Sequence, residues 1–461
     1  MTESGEDMAT LALMQGFEDV WPPDAMAGGT ITLRQAKGMT YTSDAGFTVL
    51  IRGKDLTYDD DGLPAGGTVT GFSISKNAVV IANLTLTSTD FGAAGMWLFG
   101  YDRGNGDFRG PDPYSFVQSA MRGNDVVTGS SDGDDIRGGS GNDRIDARGG
   151  NDFVADWSGA DSMDGGDGYD TLSYNEAIYS SDAFRGINLD ALAGTVIDPW
   201  GYTDTIANFE RYWDTILGDT MRGANVDESF ELSRGNDLVD GRDGFDFVSY
   251  DRADRWGAKR GVTVNLTTGI ATDSWRGTDR LSNIEGVYGS RLGDKIIGNA
   301  DHNDLSGNDG NDTIQGGGGD DQIGGDLGND VVSGGPGNDN IDGGADNDTM
   351  TGNDGRDNFN FGWGLDEVGI DTVTDFKSGT DKLWIGSWWG GDFVAETLAA
   401  NQFRSGSGVT AANSATQRLI YNTTNGDLYF DADGVDGVAA VKFATLTNLT
   451  ALTFTDIFVW L

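Results

Sequence analysis

A frame of nine residues, repeated through the middle of the chain, limits what it can fold into more than any other feature. Aligned on Gly138-Gly139-Ser140-Gly141-Asn142-Asp143-Arg144-Ile145-Asp146, its sixth position holds Asp125, Asp134, Asp143, Asp152, Asp161 and Asp170. Its eighth position holds Val127, Ile136, Ile145, Val154, Met163 and Leu172. The frame returns with Asp219, Glu228, Asp237 and Asp246, paired with Met221, Phe230, Val239 and Val248. A third block carries Asp294, Asn303, Asp312, Asp321, Asp330, Asp339, Asp348 and Asp357, paired with Ile296, Leu305, Ile314, Ile323, Val332, Ile341, Met350 and Phe359. Every eighth position is apolar in a chain that is only 37% hydrophobic, so the pattern reports structure and not composition.

Six residues rich in Gly, Asn and Asp make a turn, because Gly supplies positive φ and Asn and Asp tolerate it. The last three make a very short strand with one inward apolar side chain. Two such units wind one coil of a flat, right-handed parallel β-roll, and stacked coils place identical Asp residues about 4.8 Å apart. Unneutralised, that column of carboxylates repels itself. Hard oxygen donors at this density suit Ca²⁺, which takes roughly six to eight carboxylate and carbonyl oxygens. Nonapeptides of this kind are a described Ca²⁺-binding parallel β-helix repeat.

Composition narrows the alternatives. The 30 Lys and Arg against 74 Asp and Glu give a formal net charge of −44, a surface that repels nucleic acid and anionic membranes. With no Cys and one His, zinc clusters, cysteine nucleophiles and disulfide scaffolds are excluded. The lone His302 lies beside Asn303 in a degenerate repeat and reads as a surface turn residue. No HExxH motif is present, and no G-x-S-x-G elbow has a usable His, so no catalytic residue is assigned. No run approaches the eighteen apolar residues of a transmembrane segment. The start, MTESGEDM, is acidic where a signal peptide is basic, so export by a cleaved N-terminal signal is not expected.

The blocks at 120–173, 214–249 and 289–360 clearly resemble the RTX (repeats-in-toxin) family, whose β-rolls bind Ca²⁺. The resemblance implies that the sixth-position Asp residues named above are the ligands. Turn carbonyls assist, among them those of Gly139, Gly141, Gly166, Gly168, Gly317, Gly319, Gly335 and Gly337. If an ion sits between each turn and the one stacked on it, the blocks hold about 12 to 16 ions. Glu228, Asn303 and the glycine-poor turn at 223–227 depart from the pattern, and sites there are expected to be weak or empty.

A longer duplication overlays the short one. Gly168-Tyr169-Asp170-Thr171-Leu172-Ser173-Tyr174 matches Gly244-Phe245-Asp246-Phe247-Val248-Ser249-Tyr250. Thr203-Asp204 and Asn208-Phe209-Glu210 match Thr278-Asp279 and Asn283-Ile284-Glu285. The expected organisation is all-β. It runs as a small N-terminal β-domain (1–118), a first roll (119–173), a β-hairpin insertion (174–213) and a second roll (214–249). A second insertion (250–288), a third roll (289–360) and a C-terminal β cap with a secretion-signal region (361–461) follow. A short helix is expected near Met8–Phe17.

Residues 371–383 resemble a strand pair that caps the roll in serralysin-type C-terminal regions, and 454–461 resemble an uncleaved signal for the type I secretion machinery. Trp384, Trp388 and Trp389 are expected to cover the open end of the solenoid, with sugar stacking as the alternative. These features imply a secreted Ca²⁺-binding RTX protein that folds outside the cell. Its expected role is structural or adhesive, at the cell surface or in the matrix, with a surface glycan or a second copy of the chain as candidate partners. The alternatives are an extracellular polysaccharide-active glycosidase or lyase, or a glycan- or protein-binding module on the same scaffold.

Overall fold

The structure, a computed structural model, describes residues 9–13, 30–35, 38–42, 47–58, 64–76 and 79–90 by their backbone. It describes 124, 126–129, 131–175, 183–252, 257–365, 367–390, 393, 397–435 and 437–460 with their side chains. The chain divides into two compact units, 1–224 and 225–461. Among the described residues there is no α-helix, only strands and short 3₁₀ turns, and no helix long and apolar enough to cross a membrane.

In the first unit, positions seven to nine of each repeat form a three-residue strand. Its middle residue is buried and its neighbours are less so, as in Asp135–Arg137 and Arg144–Asp146. Strands pair in parallel with the strand eighteen residues on: Val127 with Ile145, Ile145 with Met163, Ile136 with Val154, Val154 with Leu172. Alternate repeats therefore build opposite walls, and the apolar eighth positions meet between them. One coil takes two repeats. This is a β-roll.

The segment after Tyr174 does not leave the roll for long. Asn188–Asp190 and Thr195–Ile197 form an antiparallel hairpin, and Thr203–Ala207 runs antiparallel to its second strand. Thr203–Ala207 also pairs in parallel with Ser162–Asp164, and Arg211–Trp213 with Thr171–Ser173, so the last third of the insertion is another coil. Toward the N-terminus, strands Thr30–Gln35, Gly38–Thr42, Phe47–Tyr58, Pro64–Lys76 and Val79–Asp90 make an antiparallel sheet. Ala9–Leu13 joins that sheet to the roll, antiparallel to Val79–Asp90 and parallel to Val126–Thr128. Over Ala9–Leu13 the helix expected near Met8–Phe17 is instead a strand, since pairing on both sides outweighs the local pattern; the rest of that stretch lies outside the described residues.

The second unit repeats the plan. One wall runs in parallel from Ser229–Glu231 through Phe247–Ser249, Gly286–Tyr288 and Asp304–Ser306 to Asn358–Phe361 and Lys382–Gly386. The other wall contains the hairpin Thr263–Asn265/Ile270–Thr272, then parallel strands from Lys295–Ile297 to Asp371–Val373. Asp371–Val373 and Lys382–Gly386 do not pair with each other. Each extends its own wall by one strand, so the expected capping pair is one more coil. Val441–Leu446 and Ile457–Trp460 then close the two walls in parallel.

Candidate metal centres

Each turn presents its sixth-position carboxylate to the coil before it. One oxygen of Asp330 accepts the main-chain N–H of Asp312 at 2.7 Å, and one of Asp348 accepts that of Asp330 at 2.8 Å. The opposite edge does the same, from Asp321 to Asp339 at 3.0 Å and from Asp339 to Asp357 at 3.1 Å. In the first unit Asp152 accepts from Asp134, Asp161 from Asp143 and Asp170 from Asp152, at 2.6–2.8 Å. Glu228 and Asp237 donate likewise to Asp246 and Asp279. Each carboxylate is a rung with one oxygen satisfied.

Except at Asp279, where it accepts the Tyr250 hydroxyl, the second oxygen of these rungs has no donor. At Asp152, Asp161, Asp170, Asp246, Asp312, Asp321, Asp330, Asp339, Asp348 and Asp357 the Oδ2 atom is buried and accepts no hydrogen bond. A buried charge left so is costly, and in a protein it takes up a proton or a cation. Burial first, then neighbouring carboxylates, push Asp312 and Asp348 up to about 8. The same causes take Asp330 and Asp152 to about 7, and Asp339 and Asp357 to about 6. A column of hard anionic oxygens, each lacking one partner, fits Ca²⁺.

Glycine shapes this column in two ways. Gly139, Gly141, Gly166, Gly168, Gly317, Gly319, Gly335 and Gly337 all have positive φ. A side chain at Gly337 would also strike the carbonyl of Gly319 in the coil below. The first position of the frame needs glycine for a different reason: at Gly334 the space of a Cβ is filled by the carboxylate of Asp339.

Two predicted ligands stand apart. Asp219 accepts the N–H groups of Ile187 and Thr215 and the Thr215 hydroxyl, so both its oxygens have protein donors. Asp294 is held the same way by Val262 and Ser290. In both turns a hydroxyl residue stands at position two, where Gly139, Gly166, Gly317, Gly335 and Gly344 stand in other repeats, and it hydrogen-bonds the carboxylate of its own turn. Asn303 is closed too, accepting from the Asn299 N–H and donating to the Glu285 carbonyl. Asp125 lies outside the described residues.

The nine-residue frame misses six further rungs. Asp204 accepts the N–H of Asp161, Glu210 that of Asp170, Asp279 that of Asp237 and Glu285 that of Asp246. Asp371 accepts from Asp348 and Asp381 from Asp357. All six keep the local signature, an acid two residues before an apolar residue, but at a spacing the insertions have broken. His302 is exposed, with its ring at the Asp320 carbonyl. Trp384 stacks on Phe458 at 4.9 Å, Trp389 is buried against Phe430 and Phe443, and Trp388 is exposed.

The match to a family model agrees with this geometry. Residues 119–154, 138–172, 297–332 and 333–368 match the RTX calcium-binding nonapeptide repeat, in four copies. Among solved structures, the extracellular lipase LipA from Serratia marcescens is similar at 13% identity and a TM-score of 0.19, over 94% of this chain and 85% of that one. No curated protein matches the chain. Over 119–172 and 297–368 the chain therefore carries RTX calcium-binding nonapeptide repeats, with their coils stacked two repeats to a turn in a β-roll.

Proposed function

We propose that the chain is a secreted protein whose rolls fold when their carboxylate columns take up Ca²⁺ outside the cell, and that it serves as a structural or adhesive component of the cell surface or matrix. The observation that carries this reading is the run of buried Oδ2 atoms with no donor. The proposed ligands are the sixth-position Asp residues, foremost those whose Oδ2 has no donor, joined by the off-frame acids Glu210, Glu285 and Asp371 and by turn carbonyls such as those of Gly335 and Gly337. About 12 to 16 ions remain the expected load.

Without cations the rolls bury about one apolar residue per repeat against a column of like charges, too little to offset the entropy of ordering. A chain disordered at low cytosolic Ca²⁺ suits passage through a narrow type I channel, and the interactions made outside then hold it folded. Far-UV circular dichroism of the metal-stripped protein should show disorder in the repeats, with β-structure appearing on Ca²⁺ addition. A full β spectrum without metal would refute the reading. Sheets or filaments forming on Ca²⁺ addition support the structural role, and turnover of a polysaccharide by the purified protein would instead favour an enzyme.

A further inference from the structure

We propose that in the second unit the outward face of one wall is a platform for an extended, uncharged, β-linked glycan. The wall is the one that runs from Phe247–Ser249 through Gly286–Tyr288 to Lys382–Gly386 and Ile457–Trp460. Side chains alternate along each strand, so the residues flanking each buried apolar one face outward. At one end the rings of Phe247 and Tyr288 stack, 5.2 Å apart and 12° from parallel, and Phe245 adds a third ring at 5.4 Å. The space of a Cβ at Gly286 is filled by the Phe247 ring, which therefore lies over the neighbouring strand. At the other end Trp384 stacks on Phe458 and meets Trp460 at 5.3 Å. Tyr288 and Trp460 are 39% and 45% exposed.

Between the two ends the face is polar. Tyr288 and Trp384 are five strand spacings apart, about 24 Å. Gln322, Asn340 and Asn358 follow one another in register across that gap. Asn358 accepts the Trp384 indole N–H at 3.2 Å. Asn360, in register with Trp384 and 5% exposed, donates to Asn340 at 2.8 Å, while its own Oδ1 accepts no hydrogen bond. Amides offer donors and acceptors to hydroxyl groups, and the negative face of an aromatic ring attracts the polarised C–H groups of a pyranose. A ribbon of β-linked sugars presents both, with hydroxyls along its edges and C–H groups on its faces. Only an extended chain reaches from one aromatic end to the other.

Charge argues against an acidic polymer. Asp304 and Asp342 stand on the same face, in a chain of net charge −44. Lys382 is the one base on these strands, and its ammonium lies 3.7 Å from the Asp456 carboxylate. A polyuronate or sulfated glycan would be repelled. The opposite wall supplies a contrast, since its strands Lys295–Ile297, Thr313–Gln315, Val331–Pro336, Thr349–Asp354 and Asp371–Val373 contain no aromatic residue. The internal duplication repeats the ring pair. Trp213 of the first unit stands where Tyr288 does and meets Phe153 at 4.7 Å. Phe153 comes from two strands away, whereas Phe247 comes from the adjacent strand. Outward rings add nothing to the core between the walls, and a pair present in both copies with different partners points to a surface in use. The inference deepens the adhesive reading above and rests on it for a partner outside the cell.

The test is affinity electrophoresis of the full chain at saturating Ca²⁺, in gels containing mixed-linkage β-glucan, arabinoxylan or alginate. One or both neutral polymers should retard the chain, and alginate should not. Tyr288→Ala and Trp460→Ala should each weaken the apparent affinity several-fold. Val331→Ala, at an exposed position of the opposite wall, should leave it unchanged. Circular dichroism in saturating Ca²⁺ checks that each variant is folded. Where a ring variant does not fold, Gln322→Ala, exposed between the two ends, takes its place and should weaken retardation as well. No retardation by either neutral polymer, retardation by alginate alone, or ring variants that bind as the wild type does would each overturn the proposal. Sheets or filaments that form with Ca²⁺ while no glycan binds would leave the structural reading standing and this one refuted.

Discussion

A methyl group placed on Gly334 would first meet the carboxylate of Asp339. Gly334→Ala should therefore fold at saturating Ca²⁺ yet bind it less tightly, since overpacking of this kind costs about 1–3 kcal/mol and falls on the ligand. Calcium isotherms of Gly334→Ala that match the wild type would show that Asp339 is not a ligand. Asp330→Asn tests the other side of the contact. The amide oxygen can still accept the Asp312 N–H, but the negative charge at Oδ2 is gone. Binding in that stretch should weaken on the order of tenfold, a change of ~1.4 kcal/mol, and the loss in melting temperature should grow with Ca²⁺ concentration. Asn303→Ala should lower the melting temperature by an amount independent of Ca²⁺, because what it removes is two hydrogen bonds and no charge. Thermal scans across a Ca²⁺ series distinguish the two. At this scale the sequence showed where the acids stand but not which are spent: Asp219 and Asp294 sit in frame, and only the hydroxyls of Thr215 and Ser290 reveal that their oxygens are taken.

A turn and its three-residue strand are legible in nine letters because side-chain period, turn chemistry and coil length all agree. The rungs at Asp204, Glu210, Asp279, Glu285, Asp371 and Asp381 were hidden because hairpins and longer turns break the count while leaving the acid-to-apolar spacing intact. Within a roll, the metal-free turns respond to pH in a definite direction. The carboxyls of Asp312, Asp330 and Asp348 rise from 3.8 to between about 7 and about 8, by burial first. Between those values the folded turns hold protons that the unfolded chain has released, so stability falls as pH rises through the window and is greatest below it. Metal-stripped protein should be more ordered near pH 5 than near pH 8, and saturating Ca²⁺ should flatten the difference. Circular dichroism across that range gives the answer, and a rise in order with pH would contradict the burial of these oxygens.

On the scale of the whole molecule, the ends of the chain were the least legible. Strand Ala9–Leu13 is set by partners far away in sequence, and the tail's packing depends on aromatic contacts that no period encodes. Phe361 and Trp389 meet Phe443 edge-on at 5.2 and 5.0 Å, a conventional apolar core that needs no cation. Hydrogen exchange of the metal-stripped protein should thus be fast through 295–342 and remain slow in 419–446; uniform exchange would mean that the cap borrows its stability from the roll. Acid should act on the cap in the opposite sense. Burial raises the carboxyl of Asp427, but Lys442 at 2.6 Å and the Thr445 hydroxyl more than offset that and hold it below its usual range. Its contribution is present above the ordinary carboxyl range and is lost as pH falls through the lowered value.

The hairpins Asn188–Asp190/Thr195–Ile197 and Thr263–Asn265/Ile270–Thr272 reverse the chain direction in one wall only. A rung requires the next strand to run the same way, so each reversal ends one file of carboxylates and a fresh one starts at Asp219 or Asp294, whose oxygens also accept from Thr215 and Ser290. In the opposite wall the strands stay parallel at Glu210 and Glu285, but the N–H of each acid turns back to the Asp170 or Asp246 carbonyl, so its file is interrupted there as well. A continuous file would respond to calcium as a switch, all of it filled or none. Interrupted files respond as a dimmer, each stretch setting its own threshold, so that a fall in calcium loosens one stretch and leaves its neighbours closed.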